Sequence, residues 1–372
     1  MTALDGLRGV AAVVVLLWHA TLATRFGDSI LGQISGWPAP PRDGVGHLLF
    51  DTPLRVLTMG TAAVTVFFVL SGVVLVLPLL RDGFDLWAYY PRRLLRLWLP
   101  CAASVVFALL LMNVVTQKPE NAVSRWAENY TFPDLNPTTA VSAFFVITGD
   151  PRYNNPLWSL KWEMLFSLML PVIALIVVSL RRHAGAALLA CAAVSGCGAA
   201  LHVDELQYAP IFLAGGLTAV SVAERPTARD LASWARVVGG IVLISVPEMH
   251  RTLFDGLMSD TAGLAATGFV VLGATLLVRG LAAPSSAGRL FESRPAQFLG
   301  RISFSLYLVH VPIILTLLNV LPGHPARAVA ISIPVSLLVA ALFARFVEEP
   351  SASLAKRAGV RASTWAAGIA RR

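Results

Sequence analysis

Charged residues are scarce in this sequence: they make up 13% of its 372 residues, whereas a soluble globular chain carries about 25%. Hydrophobic residues make up 56% of the chain, and the mean hydropathy is +0.70. So few charged side chains cannot cover a surface that faces water, and most of the surface must therefore face lipid. The composition excludes a set of soluble domains, although the length alone would allow two or three.

Cysteine is also scarce, and Cys101, Cys191 and Cys197 all lie within apolar runs. Their spacing matches neither a CxxC motif nor a set of metal ligands, so neither a disulfide scaffold nor a metal site is predicted. The net charge of +8 could indicate nucleic acid. However, the basic residues lie in short loops between apolar runs, without a patch of interleaved aromatics, so we expect no nucleic-acid partner.

Ten apolar runs approach the length of about 20 residues that an α-helix needs to cross a bilayer. They predict an all-α fold, a polytopic transmembrane helix bundle with about ten spanning helices in a lipid bilayer. The runs lie near Leu4–Ala23, Gly60–Leu80, Leu94–Thr116, Leu160–Leu180, Ala184–Leu201, Leu206–Ala223, Trp234–Val246, Ala262–Val278, Leu299–Leu321 and Ala326–Val347.

The charges in the loops test this division, because cytoplasmic loops are enriched in Lys and Arg. If the N-terminus is cytoplasmic, basic residues exceed acidic ones in the even-numbered loops and the C-terminal tail, and acidic residues exceed basic ones in the odd-numbered loops. We therefore predict a multi-pass protein of the inner (plasma) membrane with both termini in the cytoplasm. Residues 1–350 form the predicted transmembrane domain and residues 351–372 a short basic tail. The preference for Arg over Lys is typical of GC-rich bacterial genomes.

The first apolar run carries three ionisable residues. Each residue of an α-helix turns by about 100°, so Arg8 and His19 share one face and lie about 16 Å apart along the axis. Asp5, three residues before Arg8, is in position to pair with it. Ionisable groups within a span usually face the protein interior or a water-filled cavity and indicate function. A structural ion pair with a packed histidine, or a cleaved signal peptide, are the alternative interpretations.

Met1–Ala20 (MTALDGLRGVAAVVVLLWHA) opens the chain with LDGLRG and an R-x10-H spacing, and five further motif segments follow it in order. They are Val66–Gly72 (VFFVLSG), Arg92–Pro100 (RRLLRLWLP), Pro156–Phe166 (PLWSLKWEMLF), Leu299–Pro312 (LGRISFSLYLVHVP) and Val347–Pro350 (VEEP). Together these segments resemble the acyltransferase-3 family of membrane acyltransferases. Trp18 departs from the usual Tyr, Met164 stands where a second acid often follows the first, and the SGNH-type esterase domain that some members append is not expected here.

The resemblance implies an O-acyltransferase that moves an acyl group, most often acetyl, from cytoplasmic acyl-CoA to a hydroxyl of a sugar-containing acceptor. The acceptor would be a cell-surface glycan or a glycosylated natural product. Such a transfer needs a base for the hydroxyl proton and stabilisation of the oxyanion. We predict His19 as the general base, because the unperturbed pKa of histidine is about 6.5. A covalent acyl-histidine is the alternative.

Glu163 is the second predicted catalytic residue, in a position to orient His19 or to bind the acceptor hydroxyl, with a packing role as the alternative. Arg8, Arg93 and Arg96 are predicted to bind the donor, because guanidinium groups bind the phosphates of CoA well. The enrichment of basic residues in cytoplasmic loops explains Arg93 and Arg96 equally well. No bound cofactor is expected beyond the donor substrate.

The secondary candidates are Asp5, Ser159, Tyr307 and His310. Ser303, Tyr307 and His310 fall on one face of the ninth span, where they would line the route of the acceptor. A hydrogen-bonded cluster between helices is an equally good interpretation. The rival function is a transporter of a small molecule, because intramembrane charges also mark transport pathways. The sequence shows no inverted repeat of the kind common in secondary transporters, which disfavours this rival.

Overall fold

The computed structural model describes residues 2–35, 44–50, 52–80, 83–132, 136–225, 229–253 and 260–370, and the regular structure in these ranges is entirely helical. Short 3-10 turns lie at Pro53–Thr58, Pro119–Asn121, Pro151–Tyr153 and Arg181–His183, and a π turn lies at Ala344–Glu348. The α-helices are α1 Thr2–Leu22, α2 Phe26–Ser35, α3 Gly44–Phe50, α4 Gly60–Leu79, α5 Leu86–Val114, α6 Arg125–Asn129, α7 Pro137–Ser142, α8 Leu157–Leu168, α9 Leu170–Leu180, α10 Ala184–Ala200, α11 Asp204–Glu224, α12 Asp230–Leu253, α13 Asp260–Leu281, α14 Ser286–Phe291, α15 Arg294–Val320, α16 Pro325–Phe343 and α17 Glu349–Ala370.

Each of the ten predicted runs falls on helix, and the prediction of an all-α transmembrane bundle is confirmed. Among the described residues, eight helical segments are long and apolar enough to cross a membrane, and Ala265–Leu281 is a shorter apolar helix. The count differs slightly from ten because α9 and α10 follow one another through the turn at Arg181–His183. The run near Leu160–Leu180 is divided at Met169, where α8 ends and α9 begins.

Large apolar side chains project outward from these helices. Leu110, Leu175 and Leu338 are 59%, 72% and 63% exposed. Exposed apolar surface on this scale would be unfavourable in water, whereas lipid solvates it, and the helices satisfy their backbone hydrogen bonds internally. The surface therefore supports a protein embedded in a bilayer.

The first of two compact units comprises Met1–Trp18, Leu31–Asp82 and Met169–Arg301. Its helices α4 and α11 pack with their backbones in contact at two glycines. A Cβ atom on Gly72 would collide with the carbonyl oxygen of Phe212, and a Cβ atom on Gly215 would collide with that of Val69. The glycine that closes the VFFVLSG segment is therefore required by the close approach of two helices.

The second unit comprises His19–Ile30, Gly83–Leu168 and Ile302–Arg372. In it, α17 packs along α5, and the Trp365 and Trp87 rings meet edge to face with their centroids 6.1 Å apart. Asp85 caps α5 by accepting a hydrogen bond from the backbone N–H of Ala88. A hydrogen bond from the Ser363 side chain lowers the pKa of the Asp85 carboxyl below its usual value. Most of the predicted tail is therefore a helix packed within this unit.

We expect Gly72→Ala to destabilise the protein by about 1–3 kcal/mol, because the added methyl group would force α4 away from α11. Gly185→Ala is the matched control, since residue 185 lies on a helix with open space around it. There alanine should raise stability by up to about 1 kcal/mol through its better helix propensity. Thermal unfolding in detergent measures both variants, and equal stability of the two would contradict the close packing.

Candidate active site

His19 lies near the C-terminal end of α1 and is 8% exposed. Its Nδ1 atom lies 3.0 Å from Nε2 of His310 on α15, and its Nε2 atom lies 3.2 Å from Oδ1 of Asn155. His310 is 1% exposed. The structure thus joins the predicted base and a secondary candidate, 291 residues apart in sequence, in a buried hydrogen-bonded pair.

The backbone determines which nitrogen of His310 carries its proton. The carbonyl oxygen of Leu306 lies 2.9 Å from His310 Nδ1 and can only accept, so Nδ1–H of His310 donates to it. In neutral His310 the lone pair is then on Nε2, where it accepts the hydrogen bond from Nδ1–H of His19. This arrangement leaves Nε2 of His19 as the basic nitrogen of the pair.

Asn155 lies at this basic nitrogen. Its amide oxygen faces His19 Nε2, and its side chain also hydrogen-bonds to the Tyr130 hydroxyl. A carbonyl oxygen accepts but cannot donate, so its contact with Nε2 becomes a hydrogen bond once Nε2 has taken up a proton. Asn155 is therefore placed to stabilise a protonated His19 ring.

The neighbouring residue holds Asn155 in place. Asn154 is 1% exposed, and its Nδ2 atom donates to Oγ of Ser104 on α5 at 3.0 Å and to the carbonyl oxygen of Leu308 on α15 at 2.9 Å. Buried hydrogen bonds of this kind are costly to break, because the freed groups would be left without partners. They anchor the loop before α8, and with it the amide that faces His19.

Aromatic side chains from the segment between α5 and α8 lie close to His19. The Trp126 ring centroid is 5.4 Å from that of His19, and the Tyr130 ring follows at 5.5 Å from Trp126. Ser124 caps α6 and donates to the carbonyl oxygen of Leu22 at the end of α1, which ties the two helices together. Burial raises the pKa of Tyr130, so its hydroxyl keeps its proton.

Two further secondary candidates meet beside His310. The hydroxyls of Ser159 and Tyr307 lie 2.6 Å apart and are buried. Ser159 donates to the carbonyl oxygen of Pro156 at 3.1 Å, so Tyr307 is the donor to Ser159. The Tyr307 ring lies 6.0 Å from the ring of His310. Ser159 on α8 and Tyr307 on α15 thus share a buried hydrogen bond between two helices.

Glu163 forms an ion pair with Arg93. Oε1 of Glu163 lies 2.6 Å from Nη2 of Arg93, whose Nε atom donates to Oγ of Ser167 at 3.1 Å. The two charged side chains are only 20% and 17% exposed. The sequence predicts a catalytic role for Glu163 and donor binding for Arg93, and the structure places these two side chains in direct contact. Arg96 is exposed on α5, three residues after Arg93.

Arg8 lies on α1 with His19 and is half-buried, whereas Asp5 is exposed. The three-residue spacing of Asp5 and Arg8 suggested an ion pair, but none joins them in the described part of the chain. The glycines beside Arg8 have a packing role, since a Cβ atom on Gly6 would collide with the Phe291 carbonyl oxygen and one on Gly9 with the Gly300 backbone. These contacts account for the glycines of the LDGLRG segment.

A family model described as an acyltransferase domain matches residues 1–345. The chain belongs to the acyltransferase-3 family. The resemblance drawn from the sequence motifs is thereby confirmed, and the protein is an acyltransferase. No solved structure matches this acyltransferase.

Curated relatives of this acyltransferase come from fungi. It is 28% identical to acyltransferase clz18 of Cochliobolus lunatus, over 93% of both chains. It is 26% identical to acyltransferase R4 of a Phoma species, over 95% of this chain and 94% of the relative. O-acetyltransferase PaAT-1 of Phomopsis amygdali is also 26% identical, over 84% of this chain and 72% of the relative.

Sequence reasoning missed Asn155, Trp126 and Tyr130 around His19. They lie in the long stretch between the third and fourth predicted spans, which has no helical periodicity to indicate which residues face inward. The run Asn154–Asn155, directly before the PLWSL segment, was the one available signal, because two adjacent amides are polar groups that need partners when buried.

We expect Glu163→Gln and Arg93→Gln each to lower the melting temperature of this acyltransferase, because each leaves one mostly buried charge without its partner. The double variant should lose less stability than the two single variants together, with a coupling of about 1 kcal/mol or more in the free energy of unfolding. The exposed pair Arg345–Glu349 is the matched control, and its glutamine variants should change stability by less than about 0.5 kcal/mol. Strictly additive losses at residues 93 and 163 would contradict the pairing.

Proposed function

We propose that this acyltransferase transfers an acetyl group from acetyl-CoA to a hydroxyl of a sugar-containing acceptor, either a surface glycan or a glycosylated natural product. The observation that carries the proposal is the buried His19–His310 pair, which leaves Nε2 of His19 as a base. The name of the Phomopsis amygdali relative, an O-acetyltransferase, supports acetyl transfer to oxygen. Membership of an acyltransferase family favours this reaction over transport.

In the proposed reaction His19 acts as a general base. Its Nε2 atom takes the proton of the acceptor hydroxyl while the hydroxyl oxygen attacks the thioester carbonyl. The tetrahedral intermediate then collapses, the carbon–sulfur bond breaks, and the CoA thiolate takes up the proton from His19. The Asn155 oxygen accepts the hydrogen bond of Nε2–H while the imidazolium exists. One acyl ester and one free thiol result.

His310 acts through His19 as a positioning residue. The Leu306 carbonyl keeps the proton of His310 on Nδ1, so Nε2 of His310 accepts from His19 and holds the required tautomer. A third group that orients a catalytic histidine in this way raises the rate without touching the substrate. Tyr307 lies beside the His310 ring and hydrogen-bonds to Ser159. We propose that this pair helps to hold the His310 ring in place.

The donor is proposed to approach from the cytoplasmic side and the acceptor from the outside. Arg8, Arg93 and Arg96 are proposed donor contacts, and the Glu163 carboxylate holds the Arg93 guanidinium in one orientation. Trp126 and Tyr130, from a predicted outer loop, are proposed to contact the acceptor, since aromatic rings with polar edges suit a partly apolar sugar. The membrane is proposed to be the cell membrane, with both termini in the cytoplasm.

We expect His19→Ala to reduce turnover at least about 100-fold, because a positioned general base contributes on this scale. The measurement uses purified full-length protein with acetyl-CoA and a panel of glycosides, and follows both free thiol and acetylated product. His47→Ala is the control, since His47 is exposed on α3. Normal turnover in His19→Ala would refute the base, and solute flux without turnover in the wild type would favour the transporter.

We expect His310→Phe to lower kcat about tenfold or more with little change in KM, because phenylalanine fills the space but cannot accept the hydrogen bond from His19. His310→Gln should retain more activity, because its amide oxygen can still accept from Nδ1–H. Both variants are compared at equal folded fractions, measured by thermal unfolding. Equal activities of the two variants would show that His310 has a packing role alone.

A further inference from the structure

An arginine cluster lies within the first unit, where α11, α12 and α13 come together. Arg225 directly follows α11, Arg236 lies on α12 and Arg279 lies near the end of α13. Arg279 is 8% exposed, so this guanidinium-bearing side chain is more than nine-tenths buried. Arginine is rarely buried to this extent without a partner for its charge.

The hydrogen bonds of Arg279 leave part of its guanidinium unused. Its Nε atom donates to Oγ of Ser221 at 2.9 Å, and its Nη2 atom donates to the carbonyl oxygen of Arg225 at 2.7 Å. Its Nη1 atom is buried and has no hydrogen-bond partner in the described residues. The same holds for Nη1 of Arg236 and for Oγ of Ser233, which lies one turn before Arg236 on α12. Buried polar atoms without partners are uncommon in native proteins and call for a specific cause.

The packing of α12 on α13 brings the helix segments that carry these three residues into direct contact. Gly280 follows Arg279, and a Cβ atom on it would lie 3.0 Å from Cβ of Arg236 and 3.0 Å from the carbonyl oxygen of Ser233. The two helices therefore touch directly at this level. The side chains of Arg236 and Arg279 therefore start from adjoining positions on the two helices, and Ser233 lies one turn before Arg236 on α12.

The charges of the cluster repel one another. Arg225 and Arg236 lie close enough to Arg279 to act on it as like charges. No carboxylate forms an ion pair with any of the three arginines among the residues the structure describes. The nearby Asp230 accepts hydrogen bonds from Ser286 instead. Like charges gathered in a partly buried position are unfavourable unless an anion neutralises them.

We propose that Arg236, Arg279 and Ser233 bind a phosphate group of a cytoplasmic ligand. A phosphate offers acceptor oxygens to two guanidinium groups and a hydroxyl, and guanidinium groups bind it with two parallel hydrogen bonds. The predicted topology places these ends of α11, α12 and α13 on the cytoplasmic side. The bound anion would satisfy the unused donors and remove the repulsion within the cluster.

Two cytoplasmic sources carry this chemistry. One is the nucleotide phosphates of CoA, and this source rests on the proposed function. The other is the headgroup of an anionic lipid, since basic pockets between membrane helices bind such headgroups. Two probes distinguish these sources. Adenosine 3′,5′-bisphosphate represents the nucleotide part of CoA, and phosphatidylglycerol, compared with phosphatidylcholine, represents the anionic lipid.

The test measures thermal unfolding and ligand affinity of the purified full-length protein with each probe. We expect at least one phosphate probe to raise the melting temperature of the wild type, and Arg236→Gln to lower the affinity for it at least tenfold. Arg236 makes no hydrogen bond in the described residues, so this variant removes the charge without breaking a native hydrogen bond. Arg289→Gln is the matched control, because Arg289 is an exposed arginine on α14 in the same unit.

A shift with adenosine bisphosphate supports the nucleotide source, and a shift with phosphatidylglycerol alone supports the lipid source. Arg236→Lys should bind with intermediate affinity, because it keeps the charge but loses the paired hydrogen bonds. No shift with either probe, or equal affinity in Arg236→Gln and the wild type, would overturn the proposal. Binding is measured without an acceptor, so a failure of acetyl transfer and a failure of the arginine cluster are separate results.

Discussion

Inside a helix bundle that faces lipid, a buried polar group finds no bulk water and must be satisfied by the protein or by a ligand. Around His19 this constraint is met by hydrogen bonds that run from the Leu306 carbonyl through His310 to His19, with the Asn155 amide oxygen facing His19 Nε2. Each step limits the next, because a carbonyl oxygen can accept but not donate. The Leu306 carbonyl therefore sets the donor and acceptor roles along this series of hydrogen bonds, because a backbone carbonyl has no alternative protonation state.

This direction has a chemical consequence. A single buried histidine could present either ring nitrogen, and the two tautomers differ little in energy. In contact with His310, His19 is held with its proton on Nδ1 and its lone pair on Nε2. The amide oxygen of Asn155 then favours the protonated form that follows proton uptake. The arrangement is suited to a base that gains and returns a proton within one reaction.

Two sets of buried or partly buried charges differ in whether the protein itself neutralises them. Arg93 and Glu163 neutralise each other in a mostly buried ion pair, so neither leaves an uncompensated charge. Arg279 and Arg236 lie among like charges with unused donors, and under our proposal the first unit would depend on an anion from outside the chain. A protein that handles a phosphate-bearing donor would gain from such a dependence, since the ligand and the fold would then stabilise each other.

The helices were largely predictable, because hydropathy and span length are local properties of the sequence. All ten apolar runs lie on helix, and the motifs identified the family that the comparison with known proteins then showed. The break at Met169 and the helix α17 were not expected. The break lies inside a continuous apolar run, and α17 has the charge of an ordinary basic tail. Neither feature therefore leaves a signal in the local hydropathy or charge of the sequence.

Within one helix, the sequence by itself determined which residues share a face, because the rotation of about 100° per residue is constant. It therefore placed Arg8 and His19 on one face of α1, and Tyr307 and His310 on one face of α15. Only the tertiary structure decided that His19 meets His310, that Asn155 faces the basic nitrogen, and that Glu163 pairs with Arg93. Contacts between helices depend on where backbones approach, and in this chain that is set by glycine contacts and by loops without periodicity. No spacing along the chain encodes such contacts.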